Sequence, residues 1–175
     1  MHLVRRCDSI LKEETYDDYL KKASSIPGDN IEWIKQVINN NSESERIIYS
    51  DDKFLLIPPK KWYQYDKKKM HLLAFVKDIN IRSLRDLRGH HVPLLKHILN
   101  TSLDVIEKEC NIQKNKIRTY IHYHPSTWVL HIHFNTVEHM NVSCSVEYSH
   151  NLYDVIKNLE LCDEYYSKYI MYVYE

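Results

Sequence analysis

Glycine is nearly absent. Gly28 and Gly89 are the only two in 175 residues, so no Gly-rich loop can wrap a phosphate in backbone N–H groups. Any phosphate this chain binds must be held by side chains. An excess of one charge is missing too. The 24 Lys and Arg balance 24 Asp and Glu, which excludes a global basic field that gathers long nucleic acid. An anionic ligand therefore needs a local pocket. The four cysteines, Cys7, Cys110, Cys144 and Cys162, are scattered with no Cys-x-x-Cys. With no signal-peptide pattern, the simplest compartment is a reducing one, cytoplasm or nucleus. No apolar run approaches membrane-spanning length, so no membrane partner is expected.

What is present is enough for one ordinary domain. Hydrophobic residues make up 43% and charged residues 27%, which is the balance of a folded chain with a real core rather than a disordered one. The unusual count is 11 histidines. Four of them, His122, His124, His131 and His133, crowd into one short stretch.

Hydrophobic periodicity gives a coarse order of elements. A charged helix over 8–23 is predicted, capped by Asp8 or Ser9, and Ser25 to Asn30 breaks it. Ile31, Ile34 and Ile38 share a helical face over 31–39. A hairpin joins 46–50 to 53–57 across Asp51-Asp52, and Pro58-Pro59 ends it. Residues 60–69 read as a basic, aromatic loop, 72–77 as a buried strand and 83–88 as the start of a helical stretch. Pro93 opens a long helix to about Cys110, with apolar Leu94, Leu95, Ile98, Leu99, Val105 and Ile106. Strands follow at 117–123 and 128–135, then a short helix at 151–160 and a closing strand at 168–174. The fold class is α+β: an antiparallel sheet with the long helix packed on one face.

On a strand over 128–135, side chains alternate. Val129, His131 and His133 face one way, and Leu130, Ile132 and Phe134 the other. The strand thus buries one face and offers imidazoles on the other, with His122 and His124 nearby. Neutral imidazole can attack phosphorus, and imidazolium can donate to phosphate oxygens or to a leaving group. Three readings stand side by side: polar strand residues without chemistry, a zinc site completed by His122 or His124, and phosphoryl or nucleotidyl transfer.

The stretch IRTYIHYHPSTWVLHIHF (117–134) resembles the signature strand pair of the scavenger messenger-RNA decapping enzymes, a branch of the histidine-triad superfamily. The resemblance continues in KEETYDDY (12–19), ERIIYSDDKFLLIPPKKW (45–62), IRSLRDL (81–87), HVPLLKHIL (91–99) and HNLYDVIKNLEL (150–161), in family order. It implies a histidine-triad-like fold, with 1–44 as a hinge-like helical segment carrying cap-base contacts and 45–175 as the catalytic domain. It implies hydrolysis of the methylated cap dinucleotide, or of a short capped RNA fragment, to methyl-GMP and a nucleoside diphosphate. No metal and no cofactor are implied. His131 matches the central triad histidine, which attacks phosphorus and carries a nucleotidyl intermediate. His133 matches the last triad histidine, at the phosphate oxygens. His122 and Ser126 match positions lining the phosphate path. Trp33 and Glu43 match the family's stacking tryptophan and base-reading glutamate, and Lys61 a lysine near the cap. Without the resemblance, Trp33 reads as core at helical spacing. The resemblance also implies a two-fold homodimer. The family's additional N-terminal lid domain has no counterpart in this sequence, which opens at the segment resembling the hinge helix, so a trimmed version is expected.

Two departures stand out. Val129 occupies the place of the first triad histidine, and His124 is a candidate substitute imidazole close to the substrate. Pro59 stands where the family has a base-accepting aspartate. From these come two alternatives: a cap-binding or regulatory module with little turnover, and a broader histidine-triad nucleotide hydrolase.

Overall fold

The computed structural model describes residues 10–39, 46–59, 69–139 and 144–174. Its centre is a six-stranded antiparallel sheet. The strands are β2 (Tyr49–Ser50), β3 (Phe54–Ile57), β4 (His71–Val76), β5 (Ile117–His122), β6 (His131–Thr136) and β7 (Ser149–Asn151), in the order β2-β3-β4-β6-β5-β7. β1 (Leu11–Glu14) and β8 (Met171–Tyr174) pair separately, with Leu11 opposite Tyr174 and Glu14 opposite Met171.

Period-two alternation divides the apolar residues between two layers. Phe54, Leu56, Leu72, Ala74, Ile132 and Phe134 point to the larger core, beneath α3 (Val92–Cys110) and α4 (Leu152–Leu161). Leu55, Ile57, Leu73, Phe75 and Val129 point to the opposite face, where Ile34 and Val37 of α2 (Glu32–Ile38) cover them. Helices therefore lie on both faces, not on one. The long helix occupies the expected face, and the short α2 covers part of the other.

Local signals explain the helix ends. The Thr15 side chain accepts from the Asp18 backbone while the Asp18 carboxylate accepts from Thr15 N–H at 3.1 Å, a reciprocal cap that starts α1 (Tyr16–Ser24). This corrects the helix expected over 8–23: the described part of its first half is β1, and the cap is Thr15 rather than Asp8 or Ser9, which lie outside the described residues. Pro93 opens α3. Asn111 ends it at φ 52°, a left-handed conformation that asparagine tolerates. The apolar face of α3, with Leu95, Ile98, Leu99, Leu103 and Ile106 buried, is covered within the chain. The two-fold dimer thus draws no support from an uncovered helix face and rests on the resemblance. Among the described residues no helix is long and apolar enough to cross a membrane.

Candidate active site

β6 sits between β4 and β5, so its odd-numbered side chains have neighbours on both sides. Phe75 is opposite His131, Leu73 opposite His133, and Tyr120 opposite His133 from the other edge. β6 starts at His131, three residues later than expected, but the alternation persists upstream: Val129 lies with the α2 layer and Leu130 with the α3 layer. Hydrogen bonds from Leu130 N–H to the Ile81 carbonyl at 2.7 Å and from Val76 N–H to the Leu130 carbonyl at 3.0 Å hold that approach segment.

His131 is 5% exposed, and its ring stacks on Phe75 with centroids 4.7 Å apart. Its Nδ1–H donates to the Val129 carbonyl at 2.8 Å. That bond fixes the tautomer and leaves Nε2 as a lone pair, with no hydrogen bond among the described residues. Burial is the largest influence on its acidity and pushes the pKa down to about 4, outweighing the bond to Val129 and aided by His122. At neutral pH His131 is an uncharged, oriented imidazole whose Nε2 lone pair is chemically capable of nucleophilic attack.

His133 stacks on Tyr120 at 4.7 Å and lies 5.1 Å from the His131 ring. Burial first, then His131, His71 and His122, hold its pKa well below the ordinary value. Its Nδ1 is 3.1 Å from Nε2 of His71, and its own Nε2 is buried with no partner among the described residues. His122 is half-buried, with its ring 6.2 Å from His133; burial, then His124, lowers its pKa. Among the described residues no group of three or more His, Cys, Asp or Glu side chains is arranged to hold a metal ion.

Trp33 belongs to the same face. Its partly buried ring meets Phe75 edge-on, with centroids 5.5 Å apart and planes at 89°, and Phe75 in turn carries His131. Asn30 secures this approach. Its amide donates to the Ser126 carbonyl at 3.0 Å and accepts from Trp128 N–H at 2.9 Å, tying the start of α2 to the loop before β6. Ser126 itself is exposed and enters through its main chain.

His124 takes no part in the imidazole pair. Its Nε2–H donates to Glu14 at 2.6 Å, its Nδ1 faces the Lys22 ammonium at 3.4 Å, and its ring stacks on Trp128. With both nitrogens engaged there, it does not stand in for a histidine at position 129, where Val129 is fully buried. Glu14 is 5% exposed and also accepts from Tyr123 at 2.5 Å, with the fully buried Arg85 guanidinium 3.5 Å away. The Pro59 carbonyl accepts from Arg46 at 2.8 Å. Glu43 and Lys61 lie outside the described residues.

Sequence reasoning missed His71, Asn30 and the Glu14–Arg85 pair. His71 was within reach: it precedes Leu73 and Phe75 by the strand period, at the first position of β4. Asn30 and Glu14 act at sequence separations of 96 and 110 residues, and nothing local announces them.

Residues 32–149 match the family model described as "Scavenger mRNA decapping enzyme C-term binding". The chain belongs to this family. It is 34% identical over 172 residues to the m7GpppX diphosphatase of Rattus norvegicus, covering 93% of this chain and 51% of that protein. It is 35% identical over 168 residues to the m7GpppX diphosphatase of Homo sapiens, covering 90% and 49%. The chain thus spans about half the length of the curated relatives it matches. The crystal structure of the aprataxin ortholog Hnt3 in complex with DNA is similar in fold, with TM-score 0.51, 21% identity, and 72% of this chain and 74% of that one covered. The fold of this decapping-family chain is accordingly histidine-triad-like.

Proposed function

We propose that this chain is a metal-independent hydrolase that cleaves a methylated 5′-cap dinucleotide, or a short capped oligonucleotide, to methyl-GMP and a nucleoside diphosphate. The observation that carries the reading is the 2.8 Å bond from His131 Nδ1–H to the Val129 carbonyl, because it leaves Nε2 unprotonated and fixed. The names of the relatives support the substrate class.

In the proposed reaction, His131 Nε2 attacks the phosphorus next to the methylguanosine in line with the phosphoanhydride oxygen. The P–N bond forms as the P–O bond breaks, and the nucleoside diphosphate leaves. Water then attacks the nucleotidyl-histidine, releasing methyl-GMP and restoring the imidazole. His133 holds a phosphate oxygen and His122 lies along the phosphate path, countering charge built up in the transition state. Trp33 stacks on the cationic methylated base, and Glu43 and Lys61 complete the base side. Ser126 lines the phosphate path, and His124 supports that loop through Glu14. The assembly is a two-fold homodimer, for which light scattering should give twice the chain mass.

Product analysis after incubation with the methylated cap dinucleotide, with and without a chelator, tests the reading. Methyl-GMP and a nucleoside diphosphate at equal rates in both are expected. Tight binding without products would leave a cap-binding module. Loss of turnover with the chelator would overturn metal independence.

A further inference from the structure

His71 opens β4 on the imidazole face, and no role above uses it. Its ring lies nearly parallel to that of His133, with centroids 5.3 Å apart and planes at 19°. We propose that His71 is a positioning residue: its Nε2–H donates to Nδ1 of His133 and so fixes His133 as an Nε2–H donor to a phosphate oxygen. This rests on the proposed reading of the site as one that handles phosphate.

Two uncharged imidazoles in contact share one proton, and one must accept. If His133 donated from Nδ1, its Nε2 would be a bare lone pair, buried and without a donor. A lone pair there repels a phosphate oxygen. If His71 donates, its own Nδ1 becomes an acceptor on a half-buried residue. The buried Nε2 of His133 then carries the proton, ready for the partner it lacks. Orientation matters because charge is not available. Burial, followed by the neighbouring histidines, brings His71 down to about 4 and His133 well below the ordinary range. With no standing positive charge on either ring, the direction of one N–H decides whether His133 attracts or repels the ligand.

The test uses the full chain with ¹⁵N-labelled histidine. Long-range ¹H–¹⁵N correlations read the tautomer of each ring, with inorganic pyrophosphate as the anionic probe. His133 is expected as the Nε2–H tautomer and to shift on adding pyrophosphate. In His71→Phe, which keeps a ring but no donor, the Nδ1–H form should appear. His71→Gln, whose amide nitrogen falls where Nε2 lies, should restore the original tautomer. Turnover of the cap dinucleotide should drop about ten- to a hundredfold in His71→Phe, the effect of one lost hydrogen bond to a charged group, and recover in His71→Gln. Nδ1–H on His133 in the unmodified chain overturns the proposal, and that result is decisive even where His71→Phe does not fold. An unchanged His133 tautomer in His71→Phe overturns it as well. If the tautomer follows His71 but the unmodified chain cleaves no cap dinucleotide, the positioning role stands and the proposed activity falls.

Discussion

His131 is joined to Val129 through the main chain, not the side chain: its Nδ1–H reaches the Val129 carbonyl 2.8 Å away. Any residue at position 129 offers that carbonyl. The orientation of the His131 ring therefore does not depend on a side-chain partner at position 129.

His131→Asn should separate chemistry from folding. The asparagine amide nitrogen falls near Nδ1 and can still donate to the Val129 carbonyl, but nothing replaces Nε2. Turnover of the cap dinucleotide should fall by roughly 10⁴-fold or more, as for removal of other catalytic nucleophiles. Binding of a cap analogue should stay within a few-fold. Undiminished hydrolysis would falsify the assignment of His131.

Restoring the triad in sequence should not restore it in space. Val129 is 0% exposed and packs with Ile34, Val37, Leu55 and Phe75. Val129→His buries an imidazole among those side chains at a cost of about 1–3 kcal/mol. The midpoint of urea unfolding should drop, with no increase in kcat. A faster enzyme of unchanged stability would show that the layer opens to accept the ring.

Trp33→Ala should weaken binding of a methylated cap analogue by about 1–3 kcal/mol, the range for stacking on a cationic base. Loss of the ring also bares one edge of Phe75, which supports His131, so kcat should fall modestly as well. Titration against methylated and unmethylated guanine nucleotides checks the cause. Equal affinities in the unmodified chain would count against stacking on a cation.

Acid should destabilise the protein well before carboxylates titrate in bulk. Burial brings His71, His131 and His150 from the ordinary 6.5 to about 4. Between those values the unfolded chain binds more protons than the folded one, so stability is highest above about 6.5 and falls as pH drops toward 4. Glu14 extends the loss. Burial raises its pKa, but bonds from His124 and Tyr123 and the charges of His124 and Arg85 lower it on balance. Its contribution is present above its ordinary 4.5 and disappears as pH falls through the lower folded value. Melting temperature against pH should show this decline, with a shallower slope from 6.5 to 4 in His150→Gln. A flat profile over that range would refute the neutral, buried histidines.

Arg85→Met should be among the most damaging single changes. The guanidinium donates to the Tyr169 and Glu14 carbonyls and lies 3.5 Å from the Glu14 carboxylate, with no exposure of its own. Removing it leaves a buried carboxylate short of its cation, at about 3–5 kcal/mol. Urea unfolding measures this, and a loss under 1 kcal/mol would mean that His124 and Tyr123 suffice.

Strand periodicity made the imidazole face legible, because alternation depends only on neighbours in sequence. Pro93 marked α3 for the same local reason. The start of the chain was misread because its first described residues form a strand only by pairing with residues 171–174, and such pairing leaves no local trace. A lone Glu14 in a charged stretch looks solvated. Its burial depends on Arg85, Tyr123 and His124, which the fold brings from elsewhere. Likewise the second helical layer was invisible: the apolar side chains at 55, 57, 73 and 75 signal a buried face, but not that α2 is what covers it.

Asn30 turns this arrangement into a gauge. By gripping both Ser126 and Trp128 with one amide, it makes the start of α2 and the approach to β6 a single piece. The span from Trp33 to His131 is thereby tied at one end by these two bonds. Under the proposed reading, a ligand seated on the indole presents a phosphorus to Nε2 only if the ribose linkage between base and phosphorus matches that length. That length picks out the phosphorus next to the nucleoside, however many phosphates follow it.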